Sequence, residues 1–194
     1  MSEPLLAPGG SAPPAPRARP RELGVRIGLL EPGPLNAIVD VPGVRVGHAT
    51  AWRDDPDGTV RTGVSVVAPF EPASLFDERV PAGAAVLNGA GELIGITSIA
   101  EWGVLETPIF LTSSMAIGRV YDAAVEHLVA AIPKAGIDDA LMPVVGECDD
   151  GWLNASRRVR VTSADVARAL DDLDAGGAAG GVVGAGTGMV CHEL

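Results

Sequence analysis

Residues Gly176–Gly188 read GGAAGGVVGAGTG, and no other stretch constrains the fold as tightly. Glycine at this density serves tight bends and close backbone approaches, because it carries no Cβ and tolerates conformations that other residues avoid. Such a run belongs between packed elements of a domain. Only the short segment Met189–Leu194 follows it. The chain therefore reads as the front part of something larger. The expectation is that the activity of the whole protein differs from what these residues can do alone.

At 194 residues, 47% of them hydrophobic, there is material for one sizeable core. Aromatic residues make up only 4%, so Ala, Val and Gly must fill the interior, which suits closely packed layers of strands and helices. No apolar run is long enough to span a bilayer. A formal net charge of −11 argues against a nucleic-acid surface and against docking on anionic membranes, both of which need clustered Lys and Arg. Cys148 and Cys191 are too few for a disulfide framework, and His48, His127 and His192 show no zinc spacing. The expectation is a cytoplasmic protein without metal or cofactor. Residues 1–22, rich in Pro, Ala and Arg and lacking the apolar stretch of a signal peptide, read as a disordered tail. Residues 23–194 read as the domain.

Asn36–Val41 and Val44–Ala49 are β-rich runs flanking Pro42-Gly43, a type II turn pair. Trp52–Gly58 reads as a polar loop and Val60–Ala68 as a strand. Glu71–Arg79 reads as loop or short helix, Ala84–Leu87 as a short buried strand and Pro108–Leu111 as another. From Met115 to Ile132, Ile117, Val120, Tyr121, Ala124, Val125 and Leu128 recur at three- and four-residue steps, predicting a helix that Pro133 ends. Met142–Val145 is an apolar strand running into Gly146–Gly151. Ser163–Leu173 reads as a second helix, with Thr162 as N-cap and Asp165 in the first turn. Hairpins mixed with helical crossovers predict a layered α/β or α+β sandwich.

The acidic stretch Glu147-Cys148-Asp149-Asp150 is the best candidate site. Carboxylates where a strand runs into a loop can hold a substrate ammonium group by charge-assisted hydrogen bonds. The same residues also suit a solvated acidic turn, the more conservative assignment on residue chemistry alone. Neighbouring carboxylates make Cys148 a poor nucleophile. Gly184, Gly186 and Gly188 do not make a dinucleotide site, which needs a helix and an acidic residue further on. Ser113, His127 and Asp149 could in principle form a triad, but no nucleophile-elbow pattern surrounds Ser113-Ser114. His192 beside Cys191 is a weaker pair still.

Six stretches together resemble a known family. GPLNAIVDVPGVRVGHAT (33–50), RTGVSVVAP (61–69), LNGAGELIG (87–95), TPIFLTSSMAIG (107–118), MPVVGECDDGWLN (142–154) and GAGTGMVCHEL (184–194) occur in order. Their order and spacing resemble the N-terminal half of the DmpA-type self-processing serine aminopeptidases, which include D-aminopeptidases and β-peptidyl aminopeptidases. The resemblance covers nearly all of residues 23–194. It implies a four-layer α-β-β-α sandwich, incomplete in this chain. It implies a precursor that cleaves itself before a serine, which becomes the N-terminal nucleophile of a smaller chain and forms an acyl-enzyme with an N-terminal residue of a small peptide or amide. No catalytic residue of that family falls within this chain. The missing C-terminal portion or small subunit is an implied partner, and the paired chains are implied to form a homo-oligomer.

The resemblance carries two positions over. Glu147 matches the acidic residue that receives the substrate's ammonium group. Asp149 stands where well-known members have a tyrosine whose hydroxyl helps form the oxyanion hole. An ionised carboxylate cannot donate to an oxyanion. Asp149 is then held protonated, or another donor serves, or Asp149 recognises the substrate amine beside Glu147; the last is preferred. The rival reading is a truncated, non-catalytic remnant or amine-binding module.

Overall fold

The computed structural model describes residues 18–87, 89–174 and 176–190. They divide into two units at Pro32/Gly33. Within the first, residues 19–25 form a turn in which Val25 N–H donates to the Pro20 carbonyl (2.9 Å) and Glu22 accepts from Arg19 N–H (2.8 Å). Most of the tail expected at 1–22 lies outside the described residues.

The second unit is built on a mixed five-stranded sheet. Strands β1 (Arg45–Asp55) and β2 (Gly58–Ala68) form a long hairpin closed by Pro56 and Asp57. β3 (Val80–Pro81) follows, then β4 (Leu93–Ile94), helix α1 (Ile96–Trp102), β5 (Val104–Leu105) and β6 (Ile109–Ser113). Helix α2 (Ile117–Ala131) crosses over to β7 (Val144–Cys148), and helix α3 (Ser163–Asp171) comes last. The sheet order is β1-β2-β6-β7-β4, with β6 and β7 parallel and the other pairs antiparallel. β3 and β5 form a separate two-stranded sheet. Among the described residues no helix is long and apolar enough to cross a membrane.

Alternation along the strands sends Val64, Val66, Phe110 and Val145 into one core with Val120, Ala124 and Leu128 of α2 and Val166 and Ala169 of α3. At one end of the opposite face, Val144 packs with Ile99 of α1 and Leu105 of β5. At the other, the glycine run lies against β1 and β2. Gly184 N–H donates to Thr50 Oγ1 (2.8 Å) and Ala185 N–H to Ser65 Oγ (3.0 Å). These contacts need bare backbone: a Cβ on Gly63 would sit 2.5 Å from the Gly184 carbonyl oxygen, and one on Gly188 2.0 Å from that of Arg61. Gly184–Gly186 is a short 3-10 turn folded onto the sheet.

Several expectations need correction. Asn36–Val41 is not a strand. Asp40 turns back to accept from Leu35 N–H (2.9 Å) and Ala37 N–H (3.1 Å), winding Ile38–Asp40 into a 3-10 turn. Local side-chain hydrogen bonds here outweigh β propensity. Pro42-Gly43 does form the turn, with Gly43 at φ +90° and Val44 N–H donating to Val41 (3.1 Å). Trp52–Asp55, read as loop, is strand, because each residue pairs across the hairpin. Ala84–Leu87 is neither strand nor buried; Leu87 is 97% exposed, and this stretch pairs with no strand. Helix α1 was not anticipated. It is a single short span whose ends lie at Gly95 (φ +92°) and Gly103 (φ +69°).

The glycine contacts generate a stability prediction. Gly63→Ala and Gly188→Ala should each cost about 3 kcal/mol or more, since backbone on both sides must move. Gly118→Ala, in α2 with nothing within 4 Å of the added methyl, should gain roughly 0.5 kcal/mol. Urea unfolding of the three variants checks this ordering.

Candidate active site

Helix α2 connects two parallel, adjacent strands, so the carboxyl ends of β6 and β7 emerge side by side. Thr112 pairs with Glu147 and Ser113 with Cys148. The acidic stretch is therefore partly strand: Glu147 and Cys148 close β7, which runs three residues past the expected end at Val145, and only Asp149 onward is loop. Registry places Glu147 on the face that carries Val145 and Phe110.

Glu147 is half-buried. Its main-chain N–H donates to the Glu92 carbonyl (3.0 Å), extending the β4 pairing. One carboxylate oxygen accepts from Ser114 Oγ. The other faces Gly91, where an added Cβ would lie 3.6 Å away. The carboxylate thus accepts from a hydroxyl on one side and is bordered by a glycine that adds no bulk. That arrangement can accept hydrogen bonds from an ammonium group.

Asp149 is exposed. Its Oδ1 accepts from Gly151 N–H (2.9 Å), an Asx turn that shapes the loop, and its carbonyl accepts from Val190 N–H (3.4 Å). Asp150, by contrast, is 1% exposed and accepts from Ser113 Oγ (2.8 Å). Its main-chain carbonyl accepts from Leu153 N–H and Asn154 N–H, closing the turn. Neither the Ser113 contact nor the burial of Asp150 was legible in sequence. The signal was the serine pair at the end of an apolar strand, meaningful only once β6 and β7 are known to be parallel neighbours.

The hypothetical triad does not assemble. Ser113 is buried against Asp150 rather than near His127, which is exposed on α2, about 15 Å along the axis from the helix start. Cys191 and His192 lie outside the described residues. Cys148 is a free thiol pushed up to about 11, first by burial and then by the charges of Glu147 and Asp150. Among the described residues no group of three or more His, Cys, Asp or Glu side chains is arranged to hold a metal ion.

Comparison with known proteins bears on this geometry. A family model described as peptidase family S58 matches residues 36–194. The chain is 39% identical over 181 residues to the β-peptidyl aminopeptidase BapA of Sphingosinicella xenopeptidilytica, covering 91% of this chain and 44% of that protein. Among solved structures, a Burkholderia sp. β-aminopeptidase superposes with a TM-score of 0.81 at 46% identity, over 91% of this chain and 49% of the other. The L-aminopeptidase D-Ala-esterase/amidase of Ochrobactrum anthropi, described as a prototype for the serine aminopeptidases and a variant of the Ntn hydrolase fold, superposes at 0.79 with 36% identity, over 90% and 49%. The chain thus spans about half the length of the relatives it matches.

The raised Cys148 thiol gives a direct test. Little of it is thiolate at pH 8, so alkylation by iodoacetamide, read by peptide mapping, should be slow there, rise about tenfold per pH unit and level off only near pH 11. Rapid labelling of the Cys148 peptide at pH 8 would contradict the electrostatic picture.

Proposed function

The chain belongs to peptidase family S58, and from that membership we propose that it forms the amine-recognising part of a self-processing serine aminopeptidase acting on small peptides or amides. The observation that carries this reading is the Glu147 carboxylate, held by Ser114 at the carboxyl end of parallel strands and bordered by Gly91. The free ammonium group of the substrate pairs with Glu147 by charge-assisted hydrogen bonds. Asp149, exposed two residues on, adds negative charge at the rim and takes part in binding that amine.

The nucleophile comes from the part of the relatives' length that this chain does not span. A serine there, freed as a chain N-terminus by self-cleavage, attacks the scissile carbonyl, and water resolves the acyl-enzyme. Because the ammonium group is anchored on Glu147, only a carbonyl at a fixed distance from a free amine reaches the serine. That is the selectivity of an aminopeptidase. Donors to the oxyanion also come from outside this chain, since Asp149 has no proton to offer when ionised. The same remaining part packs a second sheet on the face opposite α2, where Leu93 and Leu111 are half-buried and close over Gly146 to form an apolar surface. This completes a four-layer sandwich. The paired chains assemble into a homo-oligomer, and the reaction uses no metal or cofactor.

Substitution in the complete two-chain enzyme tests this. Glu147→Gln should raise KM for amino-acid amides by about 10- to 100-fold, the loss of one charge-assisted hydrogen bond worth roughly 1.5–3 kcal/mol. Asp149→Asn should raise it several-fold; unchanged amine affinity would remove Asp149 from the site. Residues 1–194 alone should show no turnover and no labelling by serine-directed acylating reagents. Turnover by that segment would overturn the assignment of the nucleophile.

A further inference from the structure

Two consecutive serines each hold a different carboxylate of the same acidic stretch. Ser113 ends β6 and donates to Asp150; Ser114 opens the 3-10 turn Ser114–Ala116 and donates to Glu147. The two contacts differ in their surroundings. Ser114–Glu147 is open to solvent, where water competes for both partners and the hydrogen bond holds its geometry only weakly. Ser113–Asp150 is sealed, with the serine 4% and the aspartate 1% exposed. There an unmade hydrogen bond finds no replacement in water, so the pair stays closed.

A second feature marks Asp150. Its Oδ2 is buried without a hydrogen-bond partner among the described residues. A carboxylate held this way is an expensive means of closing a turn, since a neutral side chain would spare the desolvation. Its negative charge is felt at the same place as that of Glu147, because both push the intervening Cys148 thiol upward.

We propose that Ser113 and Asp150 are positioning residues, whose buried hydrogen bond fixes the end of β6 against the loop after β7 and thereby sets Ser114 and Glu147 in the geometry that receives the substrate amine. This rests on the reading of Glu147 as the amine site. Without the Ser113 hydroxyl, both side-chain oxygens of Asp150 are unpartnered in the interior. The loop then shifts to bring them toward water, and Glu147, three residues earlier, moves with it. Ser113 itself never meets the substrate.

The test is a double-mutant cycle in the complete enzyme, read as KM and kcat for an amino-acid amide. Ser113→Ala should raise KM about tenfold with kcat changed less, and should add less than about twofold in a Glu147→Gln background, because its effect passes through Glu147. Ser113→Thr, which restores the hydroxyl, and Asp150→Asn, which keeps an oxygen for Ser113 to donate to, should stay within about twofold of the parent KM. An equal rise from Ser113→Ala in both backgrounds would overturn the proposal, as would a rise from Asp150→Asn matching that from Ser113→Ala. A merely structural role would lower the melting temperature in both backgrounds without this dependence on Glu147. If Glu147→Gln itself leaves KM unchanged, the amine-site reading fails, an outcome distinct from failure of the positioning pair.

Discussion

The parallel pairing of β6 with β7 is the constraint on which the rest of the site depends. A hairpin would have placed the end of one strand beside the start of the other. The crossover through α2 places two carboxyl ends together instead. Ser113-Ser114 and Glu147–Asp150, more than thirty residues apart in sequence, thereby become neighbours. The core pays for this topology in apolar contacts: Val120, Ala124 and Leu128 of α2 cover Phe110 and Val145, which sit opposite each other in the ladder. Weakening that layer would disturb the site even though none of its residues touches the carboxylates.

The glycine run imposes a second, independent constraint. Its backbone lies so near β1 and β2 that side chains at Gly63 or Gly188 would overlap carbonyl oxygens. Small residues here do more than bend the chain. They bring the chain over the sheet as far as Val190, whose N–H reaches the Asp149 carbonyl. The same segment is held further back by Thr50 and Ser65, so the rim of the acidic loop is tied to the hairpin through the run. The run, read from sequence as a source of tight bends and close backbone approaches, is used for close packing.

What was legible in sequence follows the range of the forces involved. The helix over Ile117–Ala131 shows in the three- and four-residue spacing of its apolar side chains. The turn at Pro42-Gly43 follows from what those two residues allow the backbone. Both are local facts. Helix α3 belongs with them: Asp165 accepts from Thr162 N–H (2.8 Å) and from its hydroxyl (2.7 Å), the pairing that an N-cap threonine and a first-turn carboxylate suggest. Ile38–Asp40 misleads because a side chain outweighs propensity, and Trp52–Asp55 because polar residues can occupy a strand whose partner is supplied by the hairpin. Glu147 was a candidate from its chemistry and from resemblance. Its partner Ser114 was not, since nothing local marks a serine whose importance comes from a strand pairing formed after α2.

The three carboxylates of one short stretch show why composition alone could not decide between a site and a solvated turn. Glu147, still in the strand, has its direction set by the pleat and lies against a hydroxyl. Asp149, first in the loop, is exposed and spends one oxygen on the main chain of Gly151, so that its remaining capacity faces water. Asp150 turns inward, loses solvent and keeps, among the described residues, a single side-chain donor. Identical chemistry at successive positions thus becomes an oriented acceptor, a charged rim and a buried tether, because one residue's advance carries the chain out of the pleat and the next folds it back toward the core. Their divergence is set by position in the fold, and it makes the burial of Asp150 as much a part of the proposed site as the accessibility of Glu147.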